Sequence, residues 1–414
     1  MQKCHSRSPL LILFPHVLIL LSVFSPGAIA ASFSTEIIDS LKGNWGQFKL
    51  NANWRYANVD QEGKEVAKGD PIRLRFGYLS PKIFEFQAFA EFEGNTPVFE
   101  YQYDSKRNGK TQFPVVPDPQ VAELNQAWLS YTGLPDTVVK GGRQRITCDN
   151  VRWIGAIPWR QMEQTYDAVS LVNKSIPNTE LHGAFIWNVL DVFSHRISMT
   201  TPFLNLSLSF PKIGKLITYA YLLDYKIPDT KSTQSYGVRF DGKRKVMGNL
   251  EALYTAEFAY QRDYKDNPNR YNAYYLHFIG GFQIPQLPWN GVTDFTAKIG
   301  WEQLGSDNGV GLQTPLGTNH AFNGWADKFL TTPSQGIHDM YGTLSTQVHG
   351  IKLMAVYHQY DSAIGNIDYG HEIDALAVKK FAGHYTVMFK YANYSAQNHA
   401  TDTQKIWMSV GVDF

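Results

Sequence analysis

The sequence predicts an all-β fold, a transmembrane antiparallel barrel of about 18 strands with short turns at one rim and long loops at the other. Three observations lead there. Apolar and polar residues alternate with a period of two along most of the chain. The connections alternate between short and long. Beyond residue 30 no apolar run is both long and uncharged enough to cross a bilayer as a helix.

The last segment, Gln404 to Phe414, shows the alternation clearly. Ile406, Met408, Val410, Val412 and Phe414 share one face, and Lys405, Trp407, Ser409, Gly411 and Asp413 share the other. Near Gly46 to Tyr56, Phe48, Leu50, Ala52, Trp54 and Tyr56 alternate with Lys49, Asn51, Asn53 and Arg55. A soluble sandwich also alternates; one lipid-facing and one water-facing side accounts for it equally. The same pattern predicts strands near 72–79, 83–93, 122–131, 138–145, 165–172, 181–189, 203–210 and 216–225. It continues near 235–241, 249–262, 273–282, 292–304, 340–348, 352–360, 371–381 and 385–394.

Short turns are expected at Ser80-Pro81, 133–136, 211–214, His349-Gly350 and Ala382-Gly383. Long polar loops are expected at 58–70, 95–120, 147–163 and 305–339. Short turns on one side and long loops on the other separate a membrane barrel from a sandwich and place both ends of the barrel on the periplasmic side. The loop at 305–339, with its Gly, Pro, Asn and Trp, either folds into the pore mouth or stands exposed.

Residues 1–30 carry the marks of a secretory signal. Lys3 and Arg7 precede an apolar stretch from Leu10 to Phe24, and Ala28-Ile29-Ala30 is a small-x-small exit. Residues 31–45 form a short periplasmic segment, with one or two helical turns at Ser34 to Leu41, and 46–414 the barrel. With Cys4 in the signal, Cys148 stands alone, so neither an internal disulfide nor a cysteine metal site is available. A net charge of +1 gives no reason to expect nucleic acid. No cofactor is expected. The expected partners are outer-membrane lipid, a solute, and the machinery that assembles barrels, which would pair with the strand ending at Phe414.

A lipid-facing charge at the midplane costs roughly 2–4 kcal/mol, so charged positions should face the lumen. Parity puts Arg55, Arg73 and Arg75 inside, followed by Glu85, Gln87, Glu91 and Glu93. Arg239, Asp241, Glu251, Glu257, Asp294, Lys298, Glu302, Glu372, Asp374 and Lys390 follow later. These charges either pair across a filled lumen or form a selective constriction. Arg143 and Arg145, then Arg152 and Arg160 in the next loop, enrich the early chain in guanidinium groups, which bind carboxylates with two parallel bonds. Lys140 has the opposite parity to Arg143 and Arg145, so a bulge near Gly141-Gly142 is expected. Neither a Gly-x-Ser-x-Gly elbow nor a His-Glu-x-x-His helix occurs, which argues against an enzyme.

Two blocks carry a family likeness. One runs Glu123-Leu124-Asn125-Gln126-Ala127-Trp128-Leu129, Gly142-Arg143-Gln144-Arg145-Ile146, Asp149-Asn150-Val151-Arg152-Trp153-Ile154-Gly155 and Trp159-Arg160-Gln161-Met162-Glu163-Gln164-Thr165-Tyr166-Asp167-Ala168. The other runs Gln313-Thr314-Pro315-Leu316-Gly317-Thr318-Asn319-His320 and Phe322-Asn323-Gly324-Trp325-Ala326-Asp327-Lys328-Phe329-Leu330. They resemble the alginate export family of outer-membrane barrels. The resemblance implies a barrel of Gram-negative bacteria whose arginine-lined lumen passes an anionic solute or polysaccharide. Arg143, Arg145, Asp149, Arg152, Arg160 and Asp167 match the blocks and are the implied path residues. The chain is shorter than the best-known exporter, and Ala57 stands where an acid is expected. A general or plugged porin is the alternative.

Overall fold

The computed structural model describes residues 41–414. The expected signal segment, and all of the expected helical turn but Leu41, lie outside the described residues. Eighteen strands form a closed antiparallel barrel: β1 (Gly46–Gln61), β2 (Ala67–Leu79), β3 (Phe86–Gln102), β4 (Val121–Leu134), β5 (Thr137–Gln144) and β6 (Thr165–Asn173). Next come β7 (Thr179–Leu190), β8 (Arg196–Phe210), β9 (Gly214–Leu223), β10 (Thr233–Met247), β11 (Leu250–Asp263) and β12 (Asn272–Gln286). The last are β13 (Val292–Leu304), β14 (Ile337–Val348), β15 (Ile351–Asp361), β16 (Asp368–Phe381), β17 (Tyr385–Ala396) and β18 (Thr403–Asp413). Each strand pairs with its sequence neighbours, and β18 returns to β1 in the register Asn51↔Asp413 to Gln61↔Thr403. Closure leaves no free sheet edge, which is what lets a sheet sit in lipid. A two-residue strand, Lys42–Gly43, folds back on the start of β1.

The alternation sorts side chains as the sequence predicts. Leu74, Phe76, Phe92, Leu204, Phe278, Ile299, Leu344 and Val410 are exposed on the outer face. Arg73, Arg75, Glu91, Glu93, Glu257, His277, Glu302, His358, Glu372, Asp374 and Lys390 are buried within. Glu85 is a correction: it lies in the turn before β3 at φ +68 and pairs with Lys82 on the surface. β3 also extends to Gln102, past the expected loop start. Pro71 carries no N–H and the β2–β3 register shifts between Gly69 and Pro71, so the Asp70 carboxylate accepts from the N–H groups of Val98, Phe99 and Glu100 instead. The 58–70 loop shrinks to 62–66, because β1 and β2 go on pairing as far as Val59↔Ala67.

Eight short turns, of 2–6 residues each, mark one rim. The other rim carries three long loops, 103–120, 145–164 and 305–336.

Candidate functional site

The loops 145–164 and 305–336 turn into the barrel and fill its middle; Arg152, Ile154, Gln161, Met162, Leu316 and Asn323 are all buried. Ile154 and Leu316 form a parallel bridge, with the Gly155 amide donating to Leu316 O at 2.9 Å and the Thr318 amide to Val151 O at 2.8 Å. This approach requires glycine on both sides. A Cβ on Gly155 would lie 2.1 Å from Thr318 Oγ1, and one on Gly317 2.2 Å from Arg152 O.

Wall carboxylates then hold the joined loops. Arg152 Nε lies 3.1 Å from Glu302 Oε1 of β13, and its Nη2 donates to Asn323 Oδ1 at 2.8 Å. Trp153 Nε1 donates to Glu257 of β11 at 3.0 Å. Asn323 Nδ2 donates to Glu302 at 2.6 Å and to Asp339 of β14 at 3.0 Å. The amide of Ala326 donates to Glu372 at 2.6 Å and that of Trp325 to Asp374 at 3.2 Å, both on β16. On the other side Gln161 exchanges bonds with Asn53 and donates to Pro71 O, tying loop 145–164 to β1 and β2.

What the loops leave open is a row of cavities along β1, β2, β17 and β18. At the long-loop rim a vestibule of about 440 Å³ is lined in part by Lys106, Arg160, His320, Asp327, Lys328 and Lys405, with an apolar wall that includes Val115, Phe193 and Leu316. At the short-turn rim a cavity of about 260 Å³ is lined by Asn51, Asn53, Arg55, Arg73, Trp159 and Ser409 among others. A neck of about 10 Å³ lies between them. It shares Arg55 with the lower cavity and Val59, Val115, Pro117, Arg160 and Lys405 with the vestibule; Val116, Asp118 and Trp407 complete it. That volume holds about one water.

Beside the neck, cations and rings are stacked. The Arg55 guanidinium lies 4.1 Å from the Trp159 ring centroid and donates to Trp159 O at 2.6 Å. Trp159 stacks on His320 at 5.0 Å and 3°. Lys390 Nζ sits 4.0 Å from the Trp159 ring and 3.9 Å from that of Trp325, and 2.6 Å from His320 Nε2. Asp327 accepts from Arg160, His320 and Lys405 at 3.1, 2.6 and 2.8 Å. Burial alone would raise its carboxyl; Arg160, His320 and Lys405 outweigh that and hold it well below the usual carboxylate range. Lys328 makes no ion pair among the described residues: burial first and Lys405 second, against the weaker pull of Glu372 and Asp327, push its ammonium down to about 8.

The match to known proteins agrees with this architecture. A family model described as alginate export covers residues 82–290. The chain belongs to the alginate export family. Among solved structures it is similar to OccAB4 of Acinetobacter baumannii, at a TM-score of 0.66 and 12% identity over 90% of this chain and 100% of that one. It is also similar to OpdK of Pseudomonas aeruginosa, solved with vanillate, at 0.65 and 11% over 89% and 98%. OccK9 (OpdG) of the same organism gives 0.67 and 13% over 89% and 98%. At these identities the likeness is one of fold, and these neighbours are outer-membrane porins. No curated protein sequence matches. The families concerned are channels rather than enzymes.

In this alginate export family barrel the predicted path residues divide into three groups. Arg55, Arg73 and Lys298 face the lumen with no carboxylate within ion-pair distance among the described residues. Arg55 and Arg73 line the lower cavity, and Lys298 lines a second basal cavity of about 560 Å³ with Lys215 and Arg239. Arg75, Arg145, Arg152, Arg160 and Arg239 are inside but paired. Arg75 meets Glu93 at 2.6 Å, and Arg145 meets Glu163 and Glu91 at 2.5 and 3.0 Å. Arg239 meets Asp241 and Glu257 at 2.5 and 2.7 Å. Asp149 is a wall contact that accepts from Asn205 at 2.5 Å, its carboxyl raised by burial.

Arg143 and Asp167 form the third group and are a correction. Tyr166 and Ala168 are fully buried and Tyr166 reaches Gly155 O in the lumen, so alternation turns Asp167 outward. Arg143 follows it there, bound through Nε and Nη2 at 2.7 and 3.0 Å. The expected bulge at 141–142 is absent from the β5–β6 register, which runs unbroken from Thr137 to Gln144; Lys140 is the inward residue, over Trp128. The site residues not singled out from sequence are Asp118, Trp159, His320, Trp325, Asp327, Lys405 and Trp407. The block from Phe322 to Leu330, which mixes rings with charges in a loop, was the available signal for two of them, Trp325 and Asp327.

Proposed function

We propose that this protein is an outer-membrane channel of a Gram-negative bacterium that passes small anionic solutes, chiefly carboxylates with an apolar body. The observation that carries the reading is the excess of cations over carboxylates along one row of cavities: Lys106, Lys328 and Lys405 beside Asp191 and Asp327 in the vestibule, Arg160 and Arg55 beside Asp118 at the neck, and Arg73 below. Fixed charge at the narrowest point is what confers charge selectivity. The valine, proline, leucine and phenylalanine surfaces opposite give an apolar body something to slide along. The neighbour solved with vanillate, an aromatic carboxylate, is in keeping with this. The inserted loops favour a small solute over a polymer, since a neck of about 10 Å³ must widen for any passage. A weakly selective pore is favoured by one observation, the cancellation of Arg75 and Arg145 by Glu91, Glu93 and Glu163. Swelling of proteoliposomes in isotonic solutes separates the two. Aromatic carboxylates should enter several-fold faster than amines of equal size; equal rates, or faster amines, would overturn the anion reading.

A further inference from the structure

Trp159 comes from loop 145–164, His320, Trp325 and Asp327 from loop 305–336, Lys390 from β17, and Lys405 and Trp407 from β18. Both inserted loops are thus fastened to the wall beside the neck at one cluster, and the cluster turns on a single proton. Asp327, held ionised by Arg160 and Lys405, can only accept, so His320 Nδ1 carries the hydrogen in the 2.6 Å bond between them. His320 Nε2 and Lys390 Nζ, also 2.6 Å apart, then share one proton. However that proton is divided, the pair carries one positive charge. A second would set imidazolium against ammonium at hydrogen-bond distance, in a pocket where both groups are about 95% buried.

We propose that this cluster is an acid-released latch on the channel: protonation of His320 separates it from Lys390, frees loop 305–336 from Trp159, and widens the neck. The inference rests on the channel reading above. The groups facing His320 from the packed elements are Lys390 on β17, Arg160 and the Trp159 ring on loop 145–164, and Asp327 on its own loop. Arg55 of β1 lies behind Trp159, Lys405 of β18 behind Asp327, and Asp374 of β16 behind Trp325. Only Asp327 directly favours a second proton, and it is already shared with Arg160 and Lys405. Burial first, then Lys390 and Arg160 against Asp327, hold the His320 imidazole well below its ordinary 6.5.

The sign follows. With the docked value depressed and the released value ordinary, the latch is fully stable above about pH 6.5. Below that, each pH unit shifts the equilibrium about tenfold toward release, until the docked value is reached. His320 lines the vestibule, so acid on the extracellular side is the trigger.

The test records single channels of the full chain in planar bilayers while the extracellular compartment is taken stepwise from neutral to acid. Wild type should gain conductance several-fold. His320→Gln keeps an acceptor for Lys390 and a donor for Asp327 but has no proton to gain, so its conductance should stay at the neutral level. Asp327→Asn should keep an acid response. A second readout is Ala326→Cys in a Cys148→Ser background, probed with an impermeant maleimide. Ala326 is buried, so labelling should be slow at neutral pH and accelerate at least tenfold in acid. An acid step in His320→Gln equal to that of wild type, or labelling indifferent to acid, overturns the latch. A variant lacking residues 312–330 separates the two readings. If it is folded and conducts while wild type ignores acid, only the latch fails. If it is folded and never conducts, the channel reading fails and the latch with it.

Discussion

Arg152 illustrates how a single side chain can organise the interior. Its guanidinium is 1% exposed, touches Glu302 and Asn323, and lies 4.6 Å from the ring centroid of Phe322. Removing one member of a buried ion pair costs about 3–5 kcal/mol, because the survivor keeps its desolvation without its partner. In Arg152→Met, Glu302 would keep, among the described residues, the hydrogen bonds from Tyr275 and Asn323. Loop 305–336 should therefore undock more often, and its proteolysis in the folded barrel should speed up by a hundredfold or more; an unchanged rate would contradict the assignment. The family-like block marks Arg152 as a path residue; in the structure it lies within the lumen, buried against Glu302 and Asn323. Its partner Glu302 is far away in sequence and becomes adjacent only when the loop folds inward, which periodicity does not encode. Asp167 was misplaced for the reverse reason. Its charge suggests the lumen, while local alternation against Tyr166 and Ala168 turns it out.

At the scale of elements, the strands were legible because a barrel repeats one rule, apolar outside and polar inside, along each of them. The ends were less legible, since β3 and β8 continue into polar sequence where backbone pairing rather than lipid sets the pattern. The closing seam between β1 and β18 is held at its base by paired backbone bonds between Leu50 and Phe414, at 3.0 and 2.8 Å. Phe414 also stacks on His384 at 5.1 Å and meets Tyr385 edge-on at 6.3 Å. Phe414→Ala retains the backbone bonds and loses the ring contacts, so the finished barrel should persist while the yield of folded, heat-modifiable protein falls. Wild-type yield would show that the ring has no part in assembly.

For the molecule as a whole, the near-neutral total of +1 conceals an uneven interior. Loop and wall neutralise each other at Arg152–Glu302 and Arg145–Glu91, and the wall neutralises itself at Arg239–Glu257 and Arg75–Glu93, which leaves an excess of cations along β1, β2, β17 and β18. Composition cannot reveal such a division, because it depends on which charges the inserted loops reach. The most direct test of the account is the reversal potential of wild type, Arg55→Glu, Arg73→Glu and Arg143→Glu under a salt gradient. Wild type should reverse on the anion side, Arg55→Glu and Arg73→Glu should move toward zero or beyond it, and Arg143→Glu, altered on the outer face, should match wild type wherever it assembles. Cation preference in the wild type, or a larger shift from Arg143→Glu than from Arg55→Glu, would contradict a selective path through the neck.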